Sequence, residues 1–239
     1  MNPILNKVIS VILPPRCICC GKVLTGDDGL CEDCFNALNF ISSPHCKKCG
    51  TPLIDVQDHQ FLCGKCISDN NHPFRLSRSS LEYDDISRPL LLSFKFMDRT
   101  ENAKVFAKWL KLSASDILEQ GVDIIVPIPL HYTRLIKRRY NQSALIAKEL
   151  SKLTNIETDY TSVVRHKRTK PQARFSGSAR YKNVHNAFSV KKPVNIEGKR
   201  VLLLDDVMTT SSTLKECAKA ILNAGALSVD TLTIARVTK

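Results

Sequence analysis

Residues 201–213 read Val-Leu-Leu-Leu-Asp-Asp-Val-Met-Thr-Thr-Ser-Ser-Thr, and no other stretch restricts the fold of this chain so tightly. Four consecutive aliphatic residues read as a strand buried on both faces, as in a parallel α/β sheet. Two carboxylates end the strand. Small hydroxyl residues then turn the chain into an amphipathic helix, expected from Leu214 to Ala224 with Gly225 in the C-cap position. Backbone N–H groups at a helix N-terminus, fronted by hydroxyls, form a site for a phosphate. The two acids would repel a phosphate in direct contact but suit a ribose diol, or a metal ion beside it. The expected ligand is therefore a sugar phosphate. Its phosphate would sit on Thr209, Thr210, Ser211, Ser212 and Thr213, and its ribose hydroxyls on Asp205 and Asp206.

The other end of the chain carries a different chemistry. Eight of the ten cysteines fall in four C-x-x-C pairs: Cys17/Cys20, Cys31/Cys34, Cys46/Cys49 and Cys63/Cys66. Such a pair places two thiolates on one tight knuckle, and two knuckles complete a tetrahedral four-cysteine zinc site. Two structural Zn2+ ions are expected, rather than disulfides. Sequential pairing (17/20/31/34, then 46/49/63/66) is favoured, although spacing alone also permits an interleaved arrangement. Cys19 reads as a bystander and Cys217 as core. Each zinc would contribute on the order of 10 kcal/mol to the folding of a module with few aliphatic residues.

The formal net charge is +12, but it is concentrated. Residues 131–182 carry 13 Lys/Arg against 3 Asp/Glu, whereas residues 1–72 carry 6 against 7. A local surplus of this size implies a polyanionic partner. Candidate contacts to a nucleic-acid backbone are Arg134, Lys137, Arg138, Arg139, Arg165, Lys167, Arg168, Lys170, Arg174 and Arg180, with Tyr132, Tyr140, Phe175 and Tyr181 available to stack on bases. No apolar run reaches the ~18 residues needed to span a bilayer. The short run from Val8 to Leu13 lacks a cleavage site, so no membrane insertion and a cytoplasmic location are expected.

Ser68 to Arg75 is turn-rich and marks the expected domain boundary, with a zinc module over residues 1–72 and an α/β body over 73–239. Expected strands are Leu76–Tyr83, Asp123–Pro127, Thr161–Val164, Val201–Leu204 and Val229–Ala235. Expected helices cover Ile86–Phe96 and His131–Leu153. Strands alternating with helices argue a parallel sheet with helices on both faces. Ligands of such sheets sit at the carboxyl ends of strands, where the Pro127–Leu130 and Asp205–Thr213 segments both lie.

The Asp205–Thr213 stretch resembles the ribose-phosphate loop of type I phosphoribosyltransferases, with Ser211 in place of the family's glycine. The whole chain resembles the ComF/GntX family of competence-associated proteins. That resemblance rests on the C-x-x-C pairs, Phe94-Lys95-Phe96, Val126-Pro127-Ile128-Pro129-Leu130 and Arg138-Arg139-Tyr140-Asn141-Gln142, in which Arg139 replaces a glycine. Further matches are Arg165 with Thr169 and Gln172, and Arg180-x-x-Asn183-Val184-x-x-Ala187-Phe188. It implies a double zinc ribbon followed by a phosphoribosyltransferase-like domain with a flexible hood. It also implies binding of phosphoribosyl pyrophosphate with Mg2+ through Asp205, Asp206 and Thr209–Thr213. Pro129 and Leu130 would face the pyrophosphate, and Lys95 would neutralise it. The implied role is handling incoming single-stranded DNA in natural transformation, beside helicase-like and recombination-mediator proteins. The alternative is an active phosphoribosyltransferase acting on a nucleobase, for which no base-recognition segment is identifiable.

Overall fold

Alternation along four parallel strands decides the architecture. A computed structural model of the chain describes residues 14–26, 29–54, 61–68, 72–167 and 186–238. Its elements run α1 (Glu32–Ala37), α2 (Gly64–Ser68), β1 (Ser77–Glu82), α3 (Ser87–Phe96), α4 (Asn102–Ser113), α5 (Ser115–Glu119), β2 (Ile124–Pro127), α6 (Tyr132–Arg138), α7 (Gln142–Thr154), β3 (Val163–Arg165), β4 (Phe188–Val190), β5 (Arg200–Met208), α8 (Ser212–Asn223) and β6 (Ser228–Arg236). The main sheet has the order β1-β6-β5-β2 and is parallel throughout. The expected parallel α/β body is thus present. Strands β3 and β4 form a separate antiparallel pair.

Successive residues of each strand feed opposite faces of the sheet. Ile124, Val126, Val201, Leu203 and Val229 share one core with Leu214, Cys217, Ala218 and Ile221 of α8. Ile125, Leu202, Leu204, Leu232 and Ile234 share the other with Leu90 and Phe94 of α3, Phe106 and Leu110 of α4, and Ile146 and Leu150 of α7. Helices therefore cover both faces, which is why β5 reads as an unbroken apolar run. Cys217 is fully buried, as its place in the helix implied.

The cysteine-rich region is joined to this body. Leu30 and Leu38 belong to the second of those cores, and Phe40 packs edge-on against Trp109 with ring centroids 5.2 Å apart. The outer edge of β1 is occupied by the same region: Ile41 N–H donates to Ser80 O (2.9 Å), Glu82 N–H to Asn39 O (2.9 Å) and Ser77 N–H to Lys48 O (2.9 Å). At the opposite edge, β2 exchanges hydrogen bonds with residues 157–159 through Ile125. Both edges are thereby closed to further strands.

The helix expected over His131–Leu153 is two helices. Arg139 adopts a left-handed conformation (φ 66°) and stops α6. Asn141 then caps α7, its Oδ1 accepting the Ser143 N–H at 3.1 Å. Arg139 occupies the position where the resembled motif has glycine, and the backbone explains that glycine. Strand β5 continues past Leu204 through both acids to Met208.

Candidate functional site

The two metal centres follow from local geometry. The sulfurs of Cys17, Cys20, Cys31 and Cys34 lie within 4.8 Å of one another, and so do those of Cys46, Cys49, Cys63 and Cys66. The pairing is sequential. A tetrahedron with Zn–S near 2.3 Å has S···S edges of about 3.8 Å; the Cys20–Cys31 and Cys49–Cys63 separations are 3.7 and 3.6 Å. Four soft donors at this spacing fit zinc, and the N–H groups of Cys49 and Cys63 point at Cys46 Sγ (3.5 and 3.3 Å), the outer support a thiolate needs. Cys19 belongs to neither set. Gly50, directly after the Cys46/Cys49 knuckle, has φ 67°, and a Cβ there would stand 2.6 Å from Ser77 O.

The sugar-phosphate candidate lies at the carboxyl end of β5. Asp205 Oδ1 accepts from Ser143 Oγ (3.1 Å) and from the Asp206 N–H (2.9 Å). Asp206 Oδ2 is paired with Lys95 Nζ at 2.9 Å. Burial and the neighbouring Asp206 push the Asp205 carboxyl up to about 7, with Lys95 and Ser143 opposing the rise. One acid is thus ion-paired while the other tends to hold its proton. That division suits two close carboxylates before a ligand brings cations or hydroxyl donors to them.

Three motifs of the sequence meet to aim Lys95. Tyr140 Oη donates to Phe94 O (2.9 Å), and Gln142 Nε2 donates to Lys95 O (3.2 Å). The Arg138 guanidinium lies over the Phe96 ring, 5.1 Å from its centroid, and donates to Gln142 Oε1 at 3.2 Å. Asn141 Nδ2 donates to Ile128 O (2.9 Å). The segment 138–142 therefore grips the last turn of α3 with one hand and the exit of β2 with the other. Ile128 N–H donates to Leu204 O (2.8 Å), which sets Pro129 and Leu130 beside the end of β5.

The hydroxyl segment follows Met208. Ser211 is left-handed (φ 55°, ψ 1°) and is the N-cap of α8, yet makes no side-chain cap. Its hydroxyl donates back to Thr210 O at 2.6 Å. The first turn of α8 consequently receives no capping oxygen from Ser211, which leaves the helix N-terminus suited to an outside anion. Thr210 Oγ1 and Ser212 Oγ are 2.9 Å apart. Holding a serine in this conformation costs about 1 kcal/mol relative to glycine.

Of the basic residues assigned to nucleic acid, Arg165 is placed elsewhere than on an open surface. It is buried, its guanidinium 5.2 Å from the Phe188 ring centroid. Burial, followed by the charge of Arg134, pulls it down to about 10, while Asp205 acts in the opposite sense. Arg165 thus brings positive charge toward Asp205. Arg139 and Lys167 are exposed, and Arg138 is half-buried on α6. Arg168, Lys170, Arg174 and Arg180, the aromatic residues Phe175 and Tyr181, and the side chain of Lys137 lie outside the described residues. Tyr140 spends its hydroxyl on Phe94 O and acts as a brace. Sequence reading missed Ser143, because a serine at a helix start reads as a cap, and missed that Tyr140 and Gln142 serve Lys95.

Residues 8–67 match the double zinc ribbon domain family, and residues 121–239 match the phosphoribosyl transferase domain family. The chain is similar to the DNA utilization protein YhgH of Escherichia coli (strain K12), 31% identical over 230 residues, 94% of this chain and 98% of that protein. It is similar to competence protein F of Haemophilus influenzae, 31% identical over 227 residues, 92% and 96% of the two chains. Competence protein ComFC of Bacillus subtilis (strain 168) is 27% identical over 221 residues, 90% of this chain and 87% of that protein.

Proposed function

The chain belongs to the family of competence protein F and its relatives, a double zinc ribbon joined to a phosphoribosyl transferase domain, and we propose that it binds phosphoribosyl pyrophosphate with Mg2+ while handling single-stranded DNA. The observation that carries the first half is the end of β5. Asp205, held by the Ser143 hydroxyl, and a lysine-paired Asp206 stand directly before a left-handed turn into a twelve-residue helix whose N-cap side chain does not cap.

In this reading Asp205 and Asp206 hold the ribose diol, and Thr209 to Thr213 receive the 5′-phosphate with the first amides of α8. Lys95 leaves Asp206 for the pyrophosphate, joined by charge from Arg134 and Arg165. Pro129 and Leu130 line the pyrophosphate side. Mg2+ would supply countercharge to the pyrophosphate, and an all-oxygen environment suits it. Calorimetric titration with phosphoribosyl pyrophosphate and Mg2+ should show saturable heat, lost in the Asp205→Ala/Asp206→Ala variant. Absence of heat with the unmutated chain would sink the pocket assignment. Pyrophosphate release on adding a nucleobase would instead move the reading to an active phosphoribosyltransferase.

The DNA half is supported by the surplus of positive charge over residues 131–182 and by the role in competence and DNA utilization carried in the relatives' names. Helicase-like and recombination-mediator proteins are the partners this role implies, in the cytoplasm. No helix of the described residues is long and apolar enough to cross a membrane.

A further inference from the structure

Helix α6 is inverted relative to an ordinary surface helix. Tyr132, Leu135 and Ile136 fall at i, i+3 and i+4, the spacing of one helical face, and this face is turned outward: Tyr132 is 67% exposed and Ile136 76%. Arg134, between them, is drawn inward, and burial lowers its basicity. The end of α3 continues the same apolar surface with Phe96, 64% exposed, and Met97, 69% exposed. The two helices meet where the Arg138 guanidinium covers the Phe96 ring. Exposed apolar groups of this size, gathered on two neighbouring helices, mark a contact surface.

We propose that the outer face of α6 and the end of α3 form a base-stacking platform for a single nucleic-acid strand, with Phe96 and Tyr132 as the stacking rings. Charge selects the occupant. Arg138 lies against one face of the Phe96 ring, Arg139 next to it in the chain is exposed, and the surrounding sequence is the most basic part of the chain. A second copy of this protein placed on the same face would bring those cations against their own counterparts. A single strand offers the complementary pair of properties, planar faces for the rings and phosphates for the arginines. The platform also adjoins the sugar-phosphate pocket. Phe96 follows Lys95 directly, and Tyr132 lies two residues after Leu130, so a strand lying here would cross the pocket mouth. Tyr132 was expected to stack from its sequence neighbourhood. Phe96 enters only because the fold brings it to Arg138.

The proposal rests on the single-strand reading above, and the experiment separates the two. Fluorescence anisotropy of an oligothymidylate about 15 nucleotides long would compare the unmutated chain with Phe96→Ala/Tyr132→Ala. Loss of two stacked bases should weaken binding by roughly 30-fold or more. The slope of log K against log salt should stay unchanged, because no phosphate contact is removed. An abasic strand of equal length should bind the unmutated chain as weakly as the variant binds thymidylate, a comparison that needs no variant to fold. Equal affinity of the unmutated chain for the two strands would overturn the platform, and so would unaltered thymidylate binding by a variant with an unchanged melting temperature. Loss of a dimer by the variant with strand affinity intact would assign the face to a second copy and overturn it too. No binding of any strand by the unmutated chain would overturn the single-strand reading itself.

Discussion

Among the described residues, Asp205 is the carboxyl pushed furthest above its ordinary acidity. Burial and Asp206 hold its carboxyl near pH 7, far above the usual carboxylate range. Between about pH 4 and pH 7 the folded chain therefore keeps a proton that the unfolded chain has lost. Under linkage, stability must fall as pH rises through that window. Asp205→Asn keeps the shape of the side chain and removes the titration. Its unfolding free energy, measured in urea, should stay flatter over the window and exceed that of the unmutated chain at pH 8 by on the order of 4 kcal/mol. Parallel pH profiles for the two would show that Asp205 ionises normally. The two departures from the resembled motifs, Ser211 and Arg139, are readable at the same scale. Each stands where the motif has glycine, and each has a positive φ, 55° and 66°. The glycines of the motifs report backbone conformation. The replacements show that the conformation persists without them, held by the elements on either side.

At the scale of elements, the turn between α6 and α7 is what positions Lys95. Two side chains from it bond the Phe94 and Lys95 carbonyls, and a third, Asn141, holds the exit of β2. Tyr140→Phe/Gln142→Leu deletes two neutral hydrogen bonds, each worth about 1 kcal/mol, and with them the bond that Gln142 Oε1 accepts from Arg138. The variant should bind phosphoribosyl pyrophosphate roughly 10-fold more weakly if those bonds act through Lys95. The informative comparison is a cycle with Lys95→Ala. In that background the Tyr140/Gln142 changes should cost nothing further, whereas full additivity would mean that the turn serves another group. Much of this architecture was legible beforehand. The aliphatic runs gave β2 and β5 because strands covered on both faces have no polar side, β6 read as a strand although Asp230, Thr231 and Thr233 interrupt its aliphatic residues, and α8 announced itself by periodicity and Gly225. The break at Arg139 was not legible. The stretch from His131 to Leu153 keeps helical spacing across the break, and only the left-handed residue and the Asn141 cap reveal it. Nor could sequence bury Arg165 against Phe188: a run of cations reads as solvated, and the ring it meets lies twenty-three residues away.

The molecule as a whole is less divisible than its composition suggests. A cysteine-rich module and an aliphatic α/β body invite a cut at Ser68–Arg75, yet Leu30 and Leu38 lie in a core of the body. The Cys46/Cys49 knuckle of the second zinc site is fastened to the sheet from two strands. Arg236 of β6 donates to Cys49 O and, at 2.6 Å, to Thr51 Oγ1. Arg78 of β1 donates to Lys47 O (2.8 Å) while paired with Asp116 (2.5 Å). Because β6 also pairs with β5 at Met208–Arg236, the zinc knuckle stands one strand from the start of the hydroxyl segment. Zinc is then part of what keeps the β1 edge covered and the far ends of β5 and β6 fixed. Metal analysis should give two zinc per chain under the four-cysteine rule. Removing them with a chelator under reducing conditions should do more than unfold the ribbons. The loss of edge hydrogen bonds and of the Phe40–Trp109 contact should lower the melting midpoint of the α/β body by roughly 10 °C, at 2–4 °C per kcal/mol for a chain of this size. Calorimetry reads that shift, and near-ultraviolet circular dichroism follows Trp109 through it. A body that melts at the same temperature with and without zinc would show that the ribbons are merely attached, and that the shared core adds nothing to the stability of the sheet.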